Sequence, residues 1–277
     1  MDAPRHVAEQ VGRLGGTARL ADLHRAGFTR AAIDAAVRSG AIRRVRRGLV
    51  GVPGGNPDIR RALMANGLIT CVSAARELGL WTLKQPADLH LWTDHGRVPA
   101  SVATHRGSLA GRRLPGAYVG VADAVLHTLR CRPALEAMVV AESALRLGAV
   151  RRQELLEHLP GARNGVYRRL VGRLRTDAES PLEIIARELF RQAGLRVEAQ
   201  VHIRGLGRVD LLVEGCVIVE LDGMDFHWNR ETFRKDRVRN NQGVLAGLPT
   251  LRYVYEDLVF RPDAVLAQVR SMVRRVS

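Results

Sequence analysis

Lysine is nearly missing from this sequence. Lys84 and Lys235 stand alone among 43 basic residues, and the rest are arginines. Aromatic residues make up only 4% of the 277-residue chain. Cysteine is scarce as well: Cys71, Cys131 and Cys216 are an odd set of three, with no CxxC pair among them. That pattern argues against a disulfide framework and lacks the spacing of a zinc motif. Each cysteine sits in an apolar stretch, where a free thiol behaves as a small buried hydrophobe. No apolar run reaches the roughly 18 residues of a membrane span. The N-terminal stretch MDAPRHVAEQVGRLGG has no apolar signal-peptide core. The expectation is a soluble, cytoplasmic protein with no membrane partner.

What is present is ordinary globular material, 46% hydrophobic and 26% charged. That excludes a disordered chain, a collagen and a simple coiled coil. At about 100–200 residues per domain, the length suits two domains or three small ones. The formal net charge is +15, and nucleic acid is the commonest partner for such an excess. All of it lies within residues 1–175, whereas residues 176–277 are balanced. This division suits a polyanion-binding front and a rear whose acids could hold a cation.

Residues 1–56 spell three short helices and a hairpin. Val7, Val11 and Leu14 have helical spacing, and Gly15-Gly16 ends that helix. Thr17 is placed to cap a helix over 18–26, and Thr29 to cap a third over 30–39. Residues 41–52 read as two strands turning at Arg47-Gly48. The set makes a winged helix-turn-helix, whose third helix enters the major groove of DNA. Arg30 and Arg38 would lie on that helix, and Arg43, Arg44, Arg46 and Arg47 would be phosphate contacts from the wing. The alternative is a solvated arginine-rich hairpin on a small packing domain.

The glycine pair, the Gly27-Phe28-Thr29-Arg30 turn and the run Arg43-Arg44-Val45-Arg46-Arg47-Gly48 resemble the N-terminal domain of AbiEi-type antitoxins. The resemblance implies a winged-helix protein that binds DNA and represses its own promoter. It continues into Cys71-Val72-Ser73-Ala74-Ala75-Arg76-Glu77-Leu78, where the family's usual histidine is absent and Glu77 precedes Leu78.

Residues 57–175 read as a small basic α/β spacer. Residues 59–80 look mostly helical, 88–93 and 101–105 read as strands, and 121–129, 133–147 and 151–158 as amphipathic helices. His90, His95 and His105 are spread over different elements without a paired acidic motif, so a structural or surface role is favoured over a metal site. Arg112-Arg113, Arg151-Arg152 and Arg168-Arg169 could line a DNA path or merely form solvated faces.

From residue 176 the acids concentrate. Ser180-Pro181-Leu182-Glu183 is a capping box that opens a helix to Ala193. Strands follow over 195–203, 208–213 and 217–222, then a polar helix over 231–246, a strand over 250–254 and a helix over 262–276. The unbroken apolar run of the third strand suits a sheet centre. Overall the fold class is mixed α/β of the α+β kind, and this last order of elements is that of the restriction-endonuclease-like fold. Asp210 falls on the second strand, while Glu220 and Asp222, two apart on the third, share one face. Glu183 on the preceding helix can join them. Carboxylates crowded near a sheet centre repel unless a cation neutralises them, and such oxygen ligands suit Mg²⁺ or Mn²⁺. Asp210, Glu220 and Asp222 are the metal candidates.

Ser180-Pro181-Leu182-Glu183, Gly207-Arg208-Val209-Asp210, the stretch Val219-Glu220-Leu221-Asp222-Gly223 with His227, and Asp236-Arg237-Val238-Arg239 resemble the very-short-patch-repair (Vsr)-like branch of the PD-(D/E)XK nucleases. The resemblance implies Asp210 and Glu220 as ligands, Glu183 as a supporting catalytic acid and His227 as an acid–base or water-positioning group. It places Asp236 and Arg239 behind them. Asp222 stands where a lysine is usual, as is common in this branch. Other readings remain: Glu183 as a cap, Asp222 as a turn residue, His227 as a core residue, and Asp210 or Glu220 paired with Arg208, Arg239 or Arg252.

The first expectation is a DNA-binding, metal-dependent endonuclease, a phosphodiester hydrolase that nicks or cuts in repair or defence. A palindromic cutter would need a homodimer, a nickase only one copy. The alternative is an antitoxin-type regulator whose nuclease fold only binds, its toxin partner left unidentified. A third reading is an RNA nuclease.

Overall fold

The computed structural model describes residues 3–95, 101–107, 109–111, 115–222 and 247–276. The chain divides into two compact units, Met1–Arg173 and Leu174–Ser277. His227, Asp236, Arg239, Arg112, Arg113 and the helix expected over 231–246 lie outside the described residues. The mixed α+β class read from the sequence is the class observed.

The first unit opens with α1 (Ala3–Arg13), β1 (Thr17–Arg19), α2 (Leu20–Arg25), α3 (Arg30–Arg38), β2 (Arg43–Arg46) and β3 (Leu49–Gly51). Thr29 caps α3, its Oγ1 accepting from Ala32 N at 3.2 Å. Ile33 and Ala36 turn inward and join Val7, Val11, Leu23, Ile42 and Val50 in one core. Gly48, at φ 81, makes the hairpin turn in a conformation open to glycine. Thr17 does not cap a helix. It begins β1, opposite Gly51 of β3, in a sheet ordered β1-β3-β2. The helical spacing of Leu20 and Leu23 covers barely one turn, and pairing with β3 overrides it for residues 17–19. Where these chains cross, a Cβ on Gly16 would lie 2.3 Å from the Gly55 Cα, so the crossing requires glycine.

The unit continues with α4 (Pro57–Met64), β4 (Leu68–Ile69), α5 (Cys71–Ala75), β5 (Leu89–Trp92), β6 (Val102–His105), α6 (Val121–Cys131), α7 (Ala134–Arg146), α8 (Arg152–Glu157) and α9 (Gly165–Arg173). The sheet is ordered β4-β5-β6, with β5 and β6 parallel. The helical expectation over 59–80 fails in the middle, where β4 pairs with β5. A Cβ on Gly67 would meet the Trp92 carbonyl at 2.9 Å, so glycine lets the chain approach β5. The middle segment also grips the winged helix. Arg19 donates to the Gly116 and Gly67 carbonyls at 2.7 and 2.9 Å. Buried Asp22 accepts from Gly116 N at 3.1 Å and pairs with Arg25 at 2.8 Å. Leu49 of β3 packs into the core of Ile59, Leu63, Leu91 and Trp92.

The second unit holds α10 (Pro181–Gln192), β7 (Val197–Ile203), β8 (Gly207–Val213), β9 (Val217–Leu221), β10 (Thr250–Tyr253), α11 (Tyr255–Phe260) and α12 (Pro262–Val276). The sheet is ordered β10-β9-β8-β7. Val217, Ile218 and Val219 are buried, and β9 lies between two neighbours, as its apolar run suggested. β10 runs parallel to β9, which sets Arg252 opposite Glu220. On α10 lies a buried charge group: Arg187, 1% exposed, reaches Asp177 at 3.2 Å and the neighbouring Glu188 at 3.4 Å.

Candidate functional site

The arginines of the winged helix divide into two kinds. Arg30, Arg38, Arg43, Arg44 and Arg47 are exposed. Arg30 lies on the first turn of α3 with its side chain 91% exposed, and Arg38 ends that helix. Arg43 and Arg44 lie on β2, and Arg47 precedes the turn at Gly48. Asp34, on α3 between the two groups, holds Arg44 at 2.9 Å and Arg30 at 3.7 Å. Arg46 differs. Its guanidinium turns in toward the end of α4, donating to the Leu63 carbonyl at 2.9 Å and to the Asn66 side chain. The sequence counted Arg46 with the wing's phosphate contacts; the structure uses it to anchor the hairpin. In the middle segment Arg168 likewise caps the Leu159 carbonyl at 2.8 Å, and Arg152 the Gly172 carbonyl at 3.2 Å.

In the second unit the capping box forms: Ser180 Oγ accepts from Glu183 N at 3.2 Å and donates to Glu183 Oε1 at 2.9 Å. The Glu179 backbone N–H donates to Oε2 at 3.0 Å. The carboxylate is therefore a cap, and it is also more than that. Gln200 on β7 donates to Glu183 Oε2 at 2.8 Å and, more weakly, to Asp210 Oδ1 at 3.5 Å. One amide thus bridges two acids. Burial, aided by Asp210 nearby, pushes the Glu183 carboxyl above its ordinary pKa against the pull of these donors. Gln200 takes a left-handed φ of 54, and its Oε1 is buried with no partner among the described residues. Leu221 N donates to Asp210 Oδ2 at 2.9 Å, which ties β8 to β9 beyond their last paired residues.

Glu220 and Asp222 are half-buried at the end of β9, and Asp222 N donates to the Tyr253 carbonyl at 3.0 Å. Glu183 and Asp210 are thus linked through Gln200, and Asp210 through the Leu221 amide to the end of β9, where Glu220 and Asp222 stand. Their oxygens are of the kind Mg²⁺ takes. Among the described residues they do not close on one point as a ligand set does, since the set of three or more that closes lies elsewhere. Sequence reasoning missed Gln200, although a residue facing Asp210 from β7 follows from the antiparallel register Ala199–Leu211 and Val201–Val209.

That other set is in the first unit. Cys71, His90, His105 and Cys131 bring their four possible ligand atoms within 4.8 Å of one another. Cys71 is buried, Cys131 is exposed and Cys216 is intermediate, so only the first behaves as the buried hydrophobe expected of all three. Desolvation pushes the Cys71 thiol up to about 12 and lowers the pKa of His90, that of His105 to about 3 and that of the neighbouring His127 to about 4.

A family model described as transcriptional regulator, AbiEi antitoxin, matches residues 8–53. The match runs from the middle of α1 to just past β3, and that segment is thereby similar to these regulators. No curated protein matches the chain. Among the described residues no helix is long and apolar enough to cross a membrane.

Proposed function

We propose that the protein binds double-stranded DNA through α3 and the β2–β3 wing and acts as a transcriptional regulator of the antitoxin kind. One observation carries the reading: five arginines stay exposed around α3 and the wing, inside the segment that matches the regulator family. Arg30 and Arg38 on α3 would meet the groove, and Arg43, Arg44 and Arg47 the phosphates. A toxin protein is the partner such a regulator would have, and a two-fold dimer would suit a palindromic operator. The test is fluorescence anisotropy with a duplex from upstream of the protein's own gene, against a scrambled duplex and a single strand. Preference for the upstream duplex supports the reading. Equal binding of all three overturns it.

A second reading, a metal-dependent DNA endonuclease in the second unit, is favoured by the Glu183–Gln200–Asp210 bridge and the buried Gln200 oxygen that has no partner among the described residues. Glu183, Asp210, Glu220 and Asp222 would then hold Mg²⁺ or Mn²⁺, which supplies a Lewis acid and an activated water. The acids do not converge among the described residues. Supercoiled plasmid with Mg²⁺ or Mn²⁺ tests this reading. Nicking lost in Asp210→Ala and Glu220→Ala establishes it, and intact plasmid with retained DNA binding leaves the regulator alone.

A further inference from the structure

The first unit contains a second constellation that the DNA reading does not use. It is assembled from four elements: Cys71 begins α5, His90 lies on β5, His105 ends β6 and Cys131 ends α6. β5 and β6 run parallel with His90 opposite Ala103, two residues before His105, so both imidazoles project from one face of the sheet. Their ring nitrogens face each other, His90 Nδ1 to His105 Nε2 at 3.1 Å. Cys131 Sγ stands 3.7 Å from the same His90 nitrogen. A tetrahedral zinc with two nitrogen and two sulfur ligands has edges of about 3.3–3.8 Å, from bonds near 2.0–2.1 and 2.3 Å. The 3.7 Å separation falls within that range, the 3.1 Å one lies about 0.2 Å below it, and all four atoms lie within 4.8 Å of one another.

From this we propose that Cys71, His90, His105 and Cys131 form a tetrahedral site for one Zn²⁺ ion, which clamps α5, the β5–β6 pair and the end of α6. Two thiolates and two imidazoles are the donor set of structural zinc, and softer donors than Mg²⁺ accepts.

The surroundings fit a built site. His127 stacks on His105 with ring centroids 4.9 Å apart, while its Nδ1 meets Thr70 Oγ1 at 2.7 Å. It therefore forms a wall behind a ligand. Thr128 Oγ1 donates to Cys71 Sγ at 3.5 Å. Cys71 itself takes φ 55, a left-handed backbone that a non-glycine residue adopts at a cost and that clusters at functional positions. Cys131 is exposed, which leaves a path for the ion to enter.

The test uses the full chain, purified without chelator. Elemental analysis is expected to find about one zinc per chain. After chelation, added Co²⁺ should give the visible bands of tetrahedral cobalt and a thiolate-to-cobalt charge-transfer band. Cys131→Ser, at an exposed position, should keep the circular dichroism of the parent and weaken Co²⁺ binding by at least ~100-fold, since ligand loss exceeds the 10–100-fold cost of losing a supporting residue. Asp210→Ala and Glu220→Ala should leave the cobalt bands unchanged, which separates this site from the acids of the second unit. Absence of stoichiometric zinc together with no tetrahedral cobalt spectrum overturns the proposal. So does a Cys71–Cys131 disulfide in freshly purified protein.

Discussion

The wing offers a sharp double dissociation, because four neighbouring arginines of like sequence context have two different environments. Replacing Arg43, Arg44 and Arg47 together by alanine removes three exposed guanidinium groups and no buried contact. Each phosphate contact contributes about 0.9 to the slope of log affinity against log salt. With the three wing arginines on phosphates, raising salt from about 50 to 200 mM should weaken wild-type binding roughly 40-fold, and the triple variant should lose most of that dependence. Thermal stability should barely move. Arg46→Ala should do the reverse. It strips the donor from the Leu63 carbonyl and the Asn66 side chain, which costs about 1–3 kcal/mol when the acceptor stays buried, and it leaves the salt slope alone. Anisotropy titrations at four salt concentrations and urea unfolding read both quantities on the same samples. The reasoning fails if Arg46→Ala flattens the salt slope as much as the triple variant does.

Three further outcomes follow from the same structure. Asp34→Asn should tighten DNA binding several-fold at low salt, because Asp34 holds both Arg30 and Arg44 and repels phosphate; unchanged affinity in the same titration counts against α3 as the contact surface. Arg187→Ala should destabilise the second unit by about 3 kcal/mol, at the low end for a broken buried pair because Asp177 keeps a quarter of its side chain exposed, while Arg191→Ala, at the 32% exposed neighbour, should cost under ~1 kcal/mol in the same urea series. Glu183 has a raised pKa in the fold, so the folded chain keeps a proton that the unfolded chain loses near the ordinary carboxylate value of about 4.3. Its contribution to stability is therefore present below that pH and lost as pH rises through the raised value. The stability difference between wild type and Glu183→Gln should change across that window and be flat above it.

Much of the winged helix was legible because its signals are local. Thr29 is a cap three residues before the amide it serves, and Gly48 marks a turn whatever surrounds it. The apolar run of β9 likewise announced an interior strand. Short elements were less legible. β1 and β4 are three and two residues long, too short for a periodicity, and they exist only because β3 and β5 offer them partners.

The functional constellations separate along the same line. Composition and position along the chain settled the excess of positive charge and its confinement to residues 1–175, and spacing alone placed Glu183 at a helix start and Asp210 on a strand. Which arginine faces solvent and which anchors the hairpin is not written in Arg43-Arg44-Val45-Arg46-Arg47; it depends on where α4 ends, in another segment. Gln200 became a bridge between two acids through strand register. Cys71, His90, His105 and Cys131 carry no spacing motif because they come from four elements, and only packing brings them within 4.8 Å. Signals carried by neighbours in sequence survive in one dimension, whereas contacts between distant residues are decided by the fold that closes the loops between them.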